Sequence, residues 1–294
     1  SIVFLPIITK ILGVEDYGVW TQLKITLGLL VPFTFLGMND ALIRFLPAVK
    51  DKKDEQEGIY SSLVLVCGVT LVFAFLLAVF SEPVSLFLKF DQVFVRLLAL
   101  IIIFESLSTT LFIIIQARRE IGRYFIFVAL KMFGETGLVI GTILLGYGLF
   151  GAVLAFLLIR VVIFLVLLAY IIKVVDVKIP NFSLIKDYLF FGLPTMASGI
   201  AYWLVTSVDR YIIGFFLGIL FVGYYAPAYS IGMLLLFFIL PISFMLSAVL
   251  PKFFAENNIT AVKNYLGLSL KYYLLVMIPS VFGISVLAKP LLSI

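Results

Sequence analysis

Uninterrupted apolar runs constrain this chain more than any other feature of its sequence. Residues 97–104 read Leu-Leu-Ala-Leu-Ile-Ile-Ile-Phe, and comparable runs recur along all 294 residues. Apolar residues make up 64% of the chain and charged residues 13%, whereas a soluble domain carries about 25% charged residues. Folding leaves a large share of any chain of this length exposed, so water cannot be the solvent for most of this surface. In lipid every backbone amide must be satisfied internally, which leaves helices and closed barrels. Barrel strands alternate apolar and polar residues, and these runs do not. The chain is expected to be an all-α integral membrane protein.

Charged and Gly/Pro turns divide the runs into spans at roughly 19–47, 59–80, 93–115, 124–145, 149–172, 187–212, 221–249 and 264–287. Each is near or above the ~20 residues that cross a bilayer. Residues 1–9 read as the remnant of a first helix entered part-way, and a tenth is expected to begin at Leu291. Alternate loops differ in charge. One set holds Lys50, Lys52, Lys53, Arg118, Arg119, Arg123, Lys173, Lys178, Lys186, Lys252 and Lys263; the other holds only Lys10, Lys89 and Lys289. The positive-inside rule assigns the first set to the cytoplasm. The expected setting is therefore the plasma membrane, with a cytoplasmic N-terminus.

The net charge of +5 is accounted for by those loops and is not read as a nucleic-acid signature. The single cysteine, Cys67, excludes an intrachain disulfide, and the lack of histidine excludes histidine metal sites and proton relays. The sequence holds no GxSxG, HExxH or Walker loop. The protein is expected not to be an enzyme and to need no cofactor. Without a nucleotide-binding loop, any work the protein does would be driven by an ion gradient (Na+ or H+) or by the gradient or consumption of the molecule it handles, and not by ATP.

An internal repeat organises the spans. Leu12-Gly13-Val14-Glu15-Asp16-Tyr17-Gly18 matches Leu217-Gly218-Ile219-Leu220-Phe221-Val222-Gly223 as LGxxxxG, at an offset of 205. Leu46-Pro47 and Leu250-Pro251 follow at 204, and Pro83 and Pro290 at 207. The repeat unit covers six helices, an even number, so both copies point the same way and are related by an axis along the membrane normal. The expected organisation is two parallel-repeat six-helix lobes around a central cavity. Residues 1–178 form the first lobe, its first helix shortened, and 179–294 the first part of the second. If the repeat is complete, about three further helices follow this chain.

These residues resemble the oligosaccharide-flippase branch of the multidrug/oligosaccharidyl-lipid/polysaccharide exporter superfamily. The resemblance lies in Ile11–Gly18, in Phe191-Gly192-Leu193-Pro194, in Ser207–Ile213 and in Phe216–Tyr229, and it covers essentially the whole chain. It implies two six-helix lobes around a cavity, alternating access, and a lipid-linked sugar as the transported partner. A coupling sodium site in the C-terminal lobe is also implied by related lipid-carrier flippases.

An ionisable group within a span is costly and is a functional candidate by default. Glu105 and Arg160 lie at matching depth, and Glu135 lies near mid-depth one helical turn from Lys131. In the functional reading these residues form a polar wall on which Arg160 or Lys131 meets a pyrophosphate. In the structural reading Glu105 bridges Arg160 and Lys131 pairs with Glu135. Asp209 is the candidate for cation coupling; the alternative has it pairing locally while Arg210 snorkels outward. Lys24 is placed near the outer end of span two, and Asp40 and Arg44 near the inner end. Arg44 would either greet an anionic head group or pair with Asp40 at i, i+4. Trp203 is among the aromatics that would stack on sugars, and residues 50–57 read as a solvated turn.

The function these features favour is flipping of lipid-linked oligosaccharide from the cytoplasmic to the outer leaflet. A cation-coupled drug or metabolite antiporter is the alternative. A membrane enzyme of glycan assembly is a second alternative, which the short outer loops disfavour.

Overall fold

The computed structural model describes residues 10–49, 51–255 and 258–293. Among them the chain is helical throughout, with no strand. In order, the helices are α1 (Val14–Phe35), α2 (Met38–Phe45), α3 (Lys52–Val79), α4 (Ser81–Leu88), α5 (Gln92–Ala117), α6 (Ile121–Leu144), α7 (Gly148–Val175), α8 (Ile185–Phe216), α9 (Ile219–Gly232), α10 (Ile239–Ala255) and α11 (Ile259–Ser293). Among the described residues seven helices are long and apolar enough to cross a membrane, or eight if α1 and α2 are one broken span. The expected first helix, residues 1–9, lies outside the described residues. The tenth expected at Leu291 does not begin there: α11 runs on through Pro290 to Ser293.

Contacts divide the chain into two compact units, one reaching Gly223 and the other Tyr224–Ile294. In the first, α5 is the central strut, with two-thirds of its most apolar stretch buried. Its inward face carries Ser106, Ser108 and Thr110, all fully buried, and small residues let helix backbones approach closely in lipid. The Thr34 and Ser106 hydroxyls are 2.8 Å apart, and Thr110 donates to Asn39 Oδ1 at 3.3 Å. Around them pack Met38, Leu42, Ile59, Leu111, Ile163 and Leu167. The opposite faces of the bundle present Phe75, Leu130 and Phe133 outward, as lipid-facing surfaces should. The second unit comprises the end of α9, a 3₁₀ stretch (Met233–Phe238), α10 and α11, with Phe253 stacked on Tyr265 at 5.3 Å.

The span expected at 19–47 is broken, with α1 and α2 meeting at 58°. Leu36 (φ 49°) and Gly37 (φ 73°) both adopt left-handed backbone. A side chain at Gly37 would overlap the Gly192 backbone of α8, and one at Gly192 would overlap Gly37. Glycine is needed here both for its conformation and for the close approach.

The segment read as a solvated turn, 50–57, is instead mostly the first turns of α3, begun by Asp51, whose carboxylate accepts from Lys53 N at 3.0 Å. Lys50 lies outside the described residues. Glu57 is buried, and its two carboxylate oxygens share one bifurcated hydrogen bond from Asn181 N–H, at 3.1 and 3.0 Å. Lys178 Nζ stands 3.7 Å from the same carboxylate, Lys52 pairs with Asp176 at 2.7 Å, and Gln56 donates to Val175 O. The start of α3 therefore clamps the segment joining α7 to α8. At the neighbouring α5–α6 junction, burial raises the Glu120 pKa, but hydrogen bonds from Tyr170, Arg118 and Arg123 outweigh it and leave the carboxyl below its usual range.

Candidate functional site

Four helices bring five charged side chains together inside the bundle. Arg160, on α7, is almost wholly buried, its side chain 5% exposed. Its Nε lies 2.8 Å from Glu105 Oε2 and its Nη2 3.3 Å from Glu135 Oε2. Its Nη1 donates to the Phe156 carbonyl at 3.0 Å, and the guanidinium lies over the Phe156 ring, 3.2 Å from the centroid. Lys131, on α6, reaches both oxygens of Glu105 at 2.9 and 3.1 Å. Lys24, on α1, stands 3.9 Å from Glu135 Oε1, with the Trp20 and Phe156 ring centroids at 5.6 and 5.9 Å.

The expected Glu105–Arg160 bridge is present. The expected Lys131–Glu135 pair is not: Lys131 turns to Glu105, and Glu135 bridges Arg160 and Lys24. Three cations face two carboxylates, leaving one positive charge in excess. Arg160 is ion-paired with both carboxylates. Lys24 is the cation with the loosest pairing and the most exposed side chain, at 45%. Desolvated charges persist in a bilayer only when paired or lining a polar cavity, and attraction within such a cluster is far stronger than in water.

A span that starts at residue 19 puts Lys24 near the outer end, away from these residues. With α1 beginning at Val14, Lys24 lies ten residues inward and Glu135 nine residues from the C-terminal end of α6, about 15 Å and about 13.5 Å deep at 1.5 Å per residue. The signal in the sequence is Gly13, the glycine that precedes the helix and sets the point from which depth is measured.

Arg44 is remote from this cluster in the fold, on α2. No ion pair within 4.0 Å joins it to Asp40; its guanidinium instead lies over Phe191 of α8, 4.3 Å from the ring centroid. An open cavity of about 770 Å³ lies between α2 and α8, lined by Asn39, Asp40, Arg44, Phe191, Thr195 and Tyr202. Arg44 also borders a second hollow of about 560 Å³ with Asp187 and Phe190.

In α8, Arg210 does not snorkel. It is buried, and its Nη1 donates to the Thr206 carbonyl one turn back at 3.0 Å. Asp209 is half-buried, and its Oδ1 accepts from Arg210 N at 2.9 Å. Among the described residues no group of three or more acidic or cysteine side chains is placed to hold a metal ion. Trp203 is buried and acts as a strut: its Nε1 donates to Ile25 O at 2.9 Å and its ring meets Tyr211 edge-on at 5.4 Å.

A bundle of membrane-length helices with a paired charge cluster at mid-depth defines a multi-span membrane protein with a polar interior. A family model for polysaccharide biosynthesis proteins matches residues 1–256. The chain belongs to that family, and it is a polysaccharide-related membrane transporter. No curated protein and no solved structure matches it.

Proposed function

We propose that the protein flips lipid-linked oligosaccharide from the cytoplasmic to the outer leaflet of the plasma membrane by alternating access, and that it has no enzymatic step. One observation carries this reading: the mid-membrane cluster has one more cation than carboxylate, and the excess falls on Lys24. A lipid diphosphate is the natural counter-charge for such a site. Glu105 and Glu135 hold Arg160 and Lys131 in place, and Lys24 is the group able to leave Glu135 for an incoming phosphate. Arg44, beside the cavity between α2 and α8, gives a second point of contact for the same head group near the cytoplasmic end. Asp209 is the candidate for coupling to Na+ or H+.

The test is gene disruption with complementation. Disruption should abolish surface polysaccharide and leave lipid-linked precursor in the cytoplasmic leaflet. Complementation with Lys24→Gln should restore export at roughly a tenth of the wild-type rate or less, as expected when one hydrogen bond to a charged group is lost. Normal surface polysaccharide together with new sensitivity to cytotoxic cations would overturn the reading in favour of drug antiport.

A further inference from the structure

The two LGxxxxG segments meet. A side chain on Gly18 would overlap the carbonyl oxygen of Ile219 and come within 3.1 Å of Gly223 N; one on Gly223 would overlap the carbonyl oxygen of Val14. At the offset of 205, Ile219 is the counterpart of Val14, and Gly223 is the counterpart of Gly18. The contact is therefore reciprocal: each glycine packs on the carbonyl four residues before the other, as a two-fold relation requires. The local backbone repeats as well. Gly13 (φ 81°) precedes α1 and Gly218 (φ 101°) precedes α9, so both helices start from a positive-φ glycine.

The crossing has a position as well as a symmetry. Gly18 is six residues from Lys24 along α1, about 9 Å at 1.5 Å per residue, on the side that the loop charges assign to the outside. One turn inward of Gly18, Gln22 is buried at 2% exposure, its amide oxygen facing Gly214 of α8. Farther out, Lys89 donates to Phe215 O at 2.7 Å and Phe87 lies 5.8 Å from Phe215, closing the end of α8 against α4. The charge cluster thus has a backbone-tight helix crossing between it and the outer surface.

We propose that the Gly18–Gly223 crossing is the outer gate of the transport path: it seals the outer end while the cluster is loaded, and the two glycine turns part to release the head group outward. The gate rests on the transport reading above. Glycine suits it for a physical reason. With no side chain, the two backbones meet along a smooth surface that can separate and re-form without repacking. Equivalence across the repeat also means that both glycines carry the same load, although they lie in different halves of the chain.

The experiment uses the full chain with Cys67→Ser and a reporter cysteine at Gln22→Cys, probed from outside with a membrane-impermeant maleimide. With both glycines intact the reporter should be protected. Gly18→Leu and Gly223→Leu should each raise its labelling rate roughly tenfold or more and by similar factors, because either side chain shifts the population toward the open crossing. Gly68→Leu, at a position with open space around it, should leave labelling unchanged. Gly18→Ala and Gly223→Ala, each adding one carbon atom, carry the same test if a leucine variant does not fold. Unchanged labelling in folded variants, or an effect at Gly18 without one at Gly223, would overturn the gate. The readout involves no sugar lipid. A cargo other than glycolipid would sink the proposed function and leave the gate standing, and export of glycolipid without the labelling changes would do the reverse.

Discussion

At the residue scale, Arg160 shows how a cation is kept inside a bilayer. Two carboxylates, a helix carbonyl and an aromatic face surround it, so little of its charge is left for a ligand. Removing one partner of such a group strands an uncompensated charge, which typically costs about 3–5 kcal/mol, whereas replacing the set together is often close to neutral. Glu105→Gln, which leaves three cations facing Glu135 alone, should therefore lower the thermal unfolding temperature in detergent sharply, and Glu105→Gln combined with Arg160→Gln, which restores the original excess of one positive charge, should recover much of the loss. If the double variant recovers stability but not export, the cluster acts in transport; full export by the double variant would make both residues structural. The ionisable residues of this cluster were legible in the sequence, since a charge inside an apolar run needs no alignment to be noticed. Their pairing was not. Lys131 and Glu135 share a helix face at i+4, yet Glu105 on a neighbouring helix is the better partner, and inter-helix geometry outweighs helical spacing.

At the element scale, the broken span and the clamp on the α7–α8 segment are the features that spacing did not foresee. The bend between α1 and α2 depends on Gly37 accommodating both positive φ and the backbone of Gly192; the glycines were visible, but their encounter across 155 positions was not. Glu57 reads as one charge in a mixed-sign turn because the bifurcated hydrogen bond that it accepts comes from a backbone amide far along the chain. A hydrogen bond to a buried charged group contributes about 1.5–3 kcal/mol. Glu57→Gln should therefore release the segment from Asp176 to Ser183. Faster amide exchange and faster proteolysis there, with α5 unchanged, is the expected outcome; unchanged protection would show that Lys52 and Gln56 hold the segment unaided.

At the scale of the whole molecule, topology is the property most exposed to test. The basic loops at 118–123 and 173–186 mark one face and the turn at Tyr147 the opposite one. In the Cys67→Ser background, Arg119→Cys should react with an impermeant maleimide only in inside-out vesicles and Tyr147→Cys only in intact cells, each by roughly tenfold over the wrong side. The reverse pattern would invert the direction of transport argued above. By itself, the sequence determined that the chain is a helical membrane protein, where its spans fall within a few residues, and which residues are charged in the bilayer. Those properties follow from local composition, because each span must satisfy its own backbone and meet lipid with apolar side chains. Only the tertiary structure decided that Lys24 joins the cluster, that Glu57 holds a distant segment, and that Gly18 and Gly223 pack on each other's helices. Each is a contact between residues far apart in the chain, set by how the helices pack, and lipid, which solvates every apolar face alike, leaves no trace of that packing in local composition.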